Sequence, residues 1–166
     1  TRVTQNVTAV KATATVTLDN LSHTYDKTIK AATATTDPTD LTVEFVYDPP
    51  NPVNADSYLV TATINDPNFT GSKTGILIIS PRPITITADN KTKVVGDPEP
   101  ALTYQVTSGD KIGGDTFGGA LTRDGGEDIG TYPIRQGTLN INDGTGGNNY
   151  DLTFVNGLFT ITSVPV

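Results

Sequence analysis

One stretch limits the architecture more than any other. It runs Gly75-Ile76-Leu77-Ile78-Ile79-Ser80-Pro81-Arg82-Pro83-Ile84-Thr85-Ile86-Thr87. An apolar β-branched run ends, two prolines follow one residue apart, and a second strand-like alternation begins. Proline fixes φ and supplies no backbone N–H, so neither Pro81 nor Pro83 is expected in the middle of a sheet. Both prolines also bias the residues before them toward extended backbone. The stretch therefore reads as a last strand, a stiff extended hinge and a first strand, and two domains joined in this way are expected end to end with restricted swing.

The flanking sequence repeats around this joint. Thr15-Val16-Thr17-Leu18-Asp19-Asn20 matches Ile84-Thr85-Ile86-Thr87-Ala88-Asp89-Asn90, and Asp56-Ser57-Tyr58-Leu59-Val60 matches Gly130-Thr131-Tyr132-Pro133-Ile134. Pro67-Asn68-Phe69 is echoed by Asn148-Asn149-Tyr150, and Gly75 to Ser80 by Gly157 to Thr162. Corresponding pieces in the same order indicate a duplicated unit. The expected division is a tail or linker over 1–10, a first β-domain over 11–81 and a second over 82–163. Domains of that size are small but within the range that folds alone.

Period-two alternation marks the strands. Ala12, Ala14, Val16 and Leu18 share one face, as do Leu41, Val43, Phe45 and Tyr47. Thr28 to Thr36 reads as a further strand. With 16 Gly and 11 Pro spread along the chain, no amphipathic helical pattern persists. The fold class is all-β: two tandem immunoglobulin-like sandwiches. Tyr58 and Tyr132 stand where a Greek-key sandwich places its tyrosine corner. A β-grasp-like arrangement is the alternative, especially in the second half, where Asp110 to Phe117 is a candidate for a single helical turn.

The net charge of −7, with only 11 scattered basic residues, argues against nucleic acid and anionic lipid as partners. No apolar run is long enough to insert in a membrane. No signal peptide is legible at the start, so any export signal is expected outside this sequence. The absence of cysteine removes disulfides and thiolate metal sites, and with no methionine there is little to oxidise, which fits an extracellular setting.

Leu21-Ser22-His23-Thr24-Tyr25-Asp26-Lys27-Thr28, Asn54-Ala55-Asp56-Ser57-Tyr58 and Asn65-Asp66-Pro67-Asn68-Phe69-Thr70-Gly71-Ser72 resemble the MBG domains repeated in large bacterial surface proteins. The second half is similar to the MBG variant with a Tyr-Gly-x signature. The matching pieces there are Ile84 to Lys91, Asp97 to Tyr104, Gly119-Ala120-Leu121-Thr122-Arg123 and Gly130-Thr131-Tyr132. Two departures stand out. Val95 replaces the signature Tyr before Gly96, and Lys27 occupies a position where Gly is common. The resemblance implies an exported, adhesin-like bacterial surface protein and carries no catalytic residues.

No catalytic, cofactor-binding or metal-binding residue is assigned. His23, the only histidine, has no nucleophile-elbow serine or cysteine to serve and reads as a strand-edge residue. A structural calcium ion is the one cofactor left open, with Asp89, Asn90 and Asp97 or the loop Asp143 to Asn149 as ligands. Glu44, the one acid on an evident core strand, faces away from the apolar set and so suits poorly the acid role in a Lys–Asn crosslink. The Thr-x-Thr pairs suit the solvent face of a strand better than an ice-ordering array. The Asn-x-Ser/Thr sequons at Asn6, Asn20, Asn68 and Asn90 are what abundant threonine produces by chance. The expectation is a non-enzymatic spacer or stalk, monomeric, with neighbouring repeats as partners and no identified ligand. The rival is a glycan- or protein-binding module using the loops at Gly113-Gly114, Gly118-Gly119, Gly125-Gly126 and Gly146-Gly147.

Overall fold

The computed structural model describes residues 10–165. The tail expected over 1–10, apart from Val10, and the Asn6 sequon lie outside the described residues. Chain contacts separate into two units between Ser80 and Pro81.

The first unit contains β1 (Ala12–Thr13), β2 (Thr15–Asp19), β3 (Ser22–Thr24), β4 (Thr33–Asp37), β5 (Val43–Asp48), β6 (Asp56–Ile64), β7 (Phe69–Thr70) and β8 (Ser72–Ser80). Its larger sheet has the order β3-β8-β6-β5, parallel between β3 and β8 and antiparallel elsewhere. Opposite it, β2 pairs antiparallel with β4, and β1 runs parallel to β7. The alternation read from the sequence determines which side chains fill the gap. Ala14 and Val16 meet Ala62 and Ile64, with Leu18, Val43, Phe45 and Phe69 packed around them.

The second unit continues with β9 (Arg82–Ala88), β10 (Lys91–Val94), β11 (Tyr104–Ser108), β12 (Thr116–Gly118), β13 (Thr122–Arg123), β14 (Gly130–Arg135), β15 (Asn140–Asn142), β16 (Tyr150–Val155) and β17 (Gly157–Thr162). Here the larger sheet is β10-β17-β14-β13 and the smaller is β11-β9-β16. Again the first strand of the larger sheet runs parallel to the last, and β9 runs parallel to β16. Ala88, Ile134, Phe159 and Ile161 form the core. The antiparallel pair β12–β15 has no counterpart among the described residues of the first unit.

The duplication holds at the level of register. Tyr58 stands opposite Leu77 and Val60 opposite Gly75; in the second unit Tyr132 stands opposite Phe159 and Ile134 opposite Gly157. Ala12 donates its N–H to the Asn68 carbonyl and Arg82 to that of Asn149, both at 2.8 Å. Tyr25 N–H reaches Ser80 O at 3.0 Å, and Val95 N–H reaches Thr162 O at 2.9 Å. The paired glycines share a purpose. A Cβ on Gly75 would come within 2.9 Å of Leu18 Cδ1, and one on Gly157 within 2.8 Å of the Ala88 carbonyl oxygen. Each lets the opening strand of its unit press against the closing one.

Both tyrosine corners are present. Tyr58 Oη donates to Asn54 O and Tyr132 Oη to Asp128 O, each at 2.9 Å. Lys27 adopts φ 67°, the left-handed region where glycine carries no steric cost, which accounts for the Gly common at that position. Tyr25 is 1% exposed and its register equivalent Val95 is 37% exposed, so the Val departure removes a buried ring from the second unit.

Three local expectations are corrected. Pro83 lies inside β9, leaving only Pro81 between β8 and β9. The strand tolerates it because Arg82 N–H bonds toward β16, so the missing donor at Pro83 points the other way, and β11 pairs only with Thr85 to Ala88. Asp110 to Phe117 forms no helical turn; Asp115 N–H closes a four-residue turn on Ile112 O at 3.1 Å with Gly114 at φ 91°. No helix occurs among the described residues, and both units are all-β. The strand expected over Thr28 to Thr36 begins only at Thr33, because Asp26 gathers Thr28 and Lys30 into a polar turn.

Candidate functional site

His23 sits on β3, the edge strand of the larger sheet, half-buried, with Nε2 3.0 Å from the carbonyl oxygen of Asn20. That bond ties the ring to the turn before its own strand. Glu44 is exposed and accepts from the Asn65 side-chain amide at 2.6 Å, away from the apolar interior.

Three of the positions considered for calcium, Asp89, Asn90 and Asp143, direct side-chain oxygens to donors within the fold. Asp89 accepts from the Thr103 hydroxyl and the Gln105 amide, and Asn90 Oδ1 accepts from Leu158 N–H at 2.8 Å. Asp97 donates its N–H to Val94 O in a turn. In the Gly-rich loop, Asp143 accepts from the N–H groups of Thr145, Gly147 and Asn149 and from the Thr145 hydroxyl, at 2.8–3.0 Å. Burial works to raise the Asp143 pKa, but these donors outweigh it and hold the carboxyl down to about 2. The carboxylate thus organises its own loop. Among the described residues no group of three or more His, Cys, Asp or Glu side chains is arranged to hold a metal ion.

The densest charge cluster lies in the second unit and joins four separated segments. Lys93 on β10 bonds Glu99 at 3.1 Å and Glu127 at 2.6 Å. Arg123 on β13 bonds both of the same carboxylates, and its guanidinium lies 4.6 Å from the Phe159 ring centroid and 5.4 Å from that of Tyr132. The Arg123 fork also donates to the carbonyls of Asp124 and Gly126, at 2.8 Å each. Arg123 and then Lys93 hold the Glu99 carboxyl down to about 2. With both cations paired and Arg123 also stacked on two rings, the cluster braces the loops around the Tyr132 corner. Sequence reasoning missed it because its members are spread over Lys93 to Glu127 with no periodic spacing.

A second polar group is buried beneath the β12–β15 side. Tyr150 Oη donates to Asp115 at 2.7 Å and accepts from Ile112 N–H at 2.8 Å, next to a fully buried Asn149. This anchors the turn that the sequence suggested as helical.

Two open clefts among the described residues are smaller than a typical ligand pocket. One, of about 250 Å³, is lined by Ala34, Thr35, Thr36, Thr39, Asp40 and Leu41. The other, about 160 Å³, lies by Gly146 and Gly147 against Leu139 and Leu152. Small-molecule sites are typically about 300–1,000 Å³. Phe117, the one aromatic residue inside the glycine-rich loops, packs edge-on against Tyr104 with ring centroids 5.7 Å apart.

Two matches to known families cover almost the whole of this duplicated arrangement. Residues 14–83 match the MBG domain, and residues 84–160 match the MBG domain of YGX type. The chain belongs to the MBG domain family. No curated protein matches it. The boundary between the two MBG matches falls at Pro83 and Ile84, within three residues of the separation seen in the structure. In the YGX-type domain the signature tyrosine is Val95, and Gly96 keeps its place at φ 89°. MBG domains are repeats of large surface proteins and are not known as enzymes.

Proposed function

We propose that this pair of MBG domains, over 11–81 and 82–163, serves as non-enzymatic spacer repeats in an exported, adhesin-like bacterial surface protein, holding other domains away from the cell. The observation that carries the reading is the register-exact duplication, with the same tyrosine corner, glycine contact and parallel closing pair in both units. Interactions in each unit serve its own fold: carboxylates cap loops, cations pair, and the loop aromatic is packed. Neighbouring repeats are the expected partners, and a monomer acts without a cofactor. A single residue, Pro81, separates the closing strand of one domain from the opening strand of the next, and short proline-containing connections restrict bending. Pulsed electron spin resonance between spin labels placed on each domain tests the proposal. A narrow distance distribution supports a spacer, and a broad one overturns it. Specific hits on a glycan array would favour an adhesion module instead.

A further inference from the structure

β5 ends its sheet and pairs only with β6. Its register decides which backbone groups remain. Asn65 N–H bonds Thr42 O at 2.9 Å, so Thr42, Glu44, Val46 and Asp48 are the residues that exchange hydrogen bonds with β6. The N–H and C=O groups of Val43, Phe45 and Tyr47 therefore point outward from the sheet edge. Among the described residues none of these six groups has a backbone or side-chain hydrogen-bond partner. Six residues of uncovered edge form a template for another strand. The corresponding edge in the second unit is treated differently. There β13 is two residues long, and Arg123, in register with Tyr47, is tied to Glu99, Glu127 and two carbonyls.

The side chains on β5 specify what would pair with it. On the inner face Val43, Phe45 and Tyr47 are only half-buried, leaving apolar surface for a neighbouring strand to cover. On the outer face Glu44, Val46 and Asp48 are exposed, Val46 to 66%, and Val46 continues into an aliphatic patch of Leu59, Ile76 and Ile78. Two carboxylates flank one aliphatic side chain. A second copy is a poor occupant, since an antiparallel β5–β5 pair centred on Val46 would set Glu44 against Asp48 twice.

We propose that the β5 edge is a strand-addition site for an extended segment of another protein, apolar on the inner face and basic at the positions facing Glu44 and Asp48. Main-chain bonds to Val43, Phe45 and Tyr47 supply the pairing, and the two acids select the partner. The proposal is independent of the spacer reading, because a spacer without this edge would have the same duplication.

The probe is a capped peptide with Lys-Val-Thr-Ile-Lys at its centre, which places lysines opposite Asp48 and Glu44 in antiparallel addition. Amide hydrogen exchange by NMR on the full chain should show slowing at Val43, Phe45 and Tyr47, with no comparable slowing at β13. Fluorescence anisotropy should show affinity falling as salt rises. Reversing both charges, Glu44→Lys with Asp48→Lys, should weaken binding by roughly tenfold or more, since opposite-charge cross-strand pairs become like-charge pairs. Both positions are exposed, and an unchanged melting temperature confirms the fold. Four results would overturn the proposal: no binding at millimolar peptide, protection elsewhere, an affinity indifferent to the double reversal, or sedimentation showing that the protein alone dimerises through β5.

Discussion

Arg123→Ala should destabilise the second domain selectively. The side chain is 11% exposed and contacts two carboxylates that are 43% and 68% exposed. Because the acids face water, each ion pair stands nearer the surface value of about 0.2–1 kcal/mol than the 3–5 kcal/mol of a fully buried pair. The two aromatic contacts add about 0.5–1 kcal/mol each. The bonds to the Asp124 and Gly126 carbonyls add about 0.5–1.5 kcal/mol each. These share one geometry and overlap, so the expected loss is about 3 kcal/mol. Arg123→Lys keeps the charge but not the fork, and should recover less than half. Urea denaturation followed by amide NMR resolves the domains, with Ile134 reporting on the second and Val60 on the first. The pH dependence gives an independent check. Glu99, with its pKa depressed from 4.5 to about 2 chiefly by Arg123, contributes stability that is present above pH 4.5 and lost as pH falls toward 2. Arg123→Ala should flatten that acid limb. A loss below about 0.5 kcal/mol, or equal losses at both reporters, would refute the bracing role.

Further predictions follow from the duplicated geometry. Tyr58→Phe should cost about 1–1.5 kcal/mol, and Tyr132→Phe less, because Tyr58 is buried while the second hydroxyl is reached by water; denaturant midpoints for each domain test the order. Gly157→Ala should cost about 1–3 kcal/mol and Gly75→Ala less, since the added carbon meets backbone at Ala88 but a flexible side-chain end at Leu18; thermal melts of the two variants decide it. Asp143→Ala should lower the stability of the second domain by about 2 kcal/mol through loss of its charge-assisted loop bonds, while chelator leaves the wild-type melting temperature unchanged. A rise in melting temperature on adding calcium would restore the metal reading of that loop.

The parts of the fold that obey periodicity were legible from sequence. Alternation places Ala14 and Val16 in the first core, and the matched Tyr58 and Tyr132 locate both corners. The residue pairs Gly75/Gly157 and Asn68/Asn149 aligned because register leaves side-chain identity little freedom at a close contact. Pro83 was misread because proline's effect depends on which side of the strand its nitrogen faces, and that is a property of pairing. The turn at Ile112 to Asp115 was misread because its anchor, Tyr150, lies 35 residues from Asp115 in sequence. The Arg123 cluster and the bare edge at β5 arise from strand order, which a single chain's pattern does not encode.

The parallel pairing of β10 with β17 and of β3 with β8 has a mechanical consequence. Tension drawn along the polypeptide from one terminus to the other drags such partners past each other lengthwise. Every rung of the ladder then resists together, and the load is not passed to a single bond at a fraying tip. A tether that anchors cargo against fluid drag would gain its tensile strength from this arrangement, separately from the stability measured in denaturant.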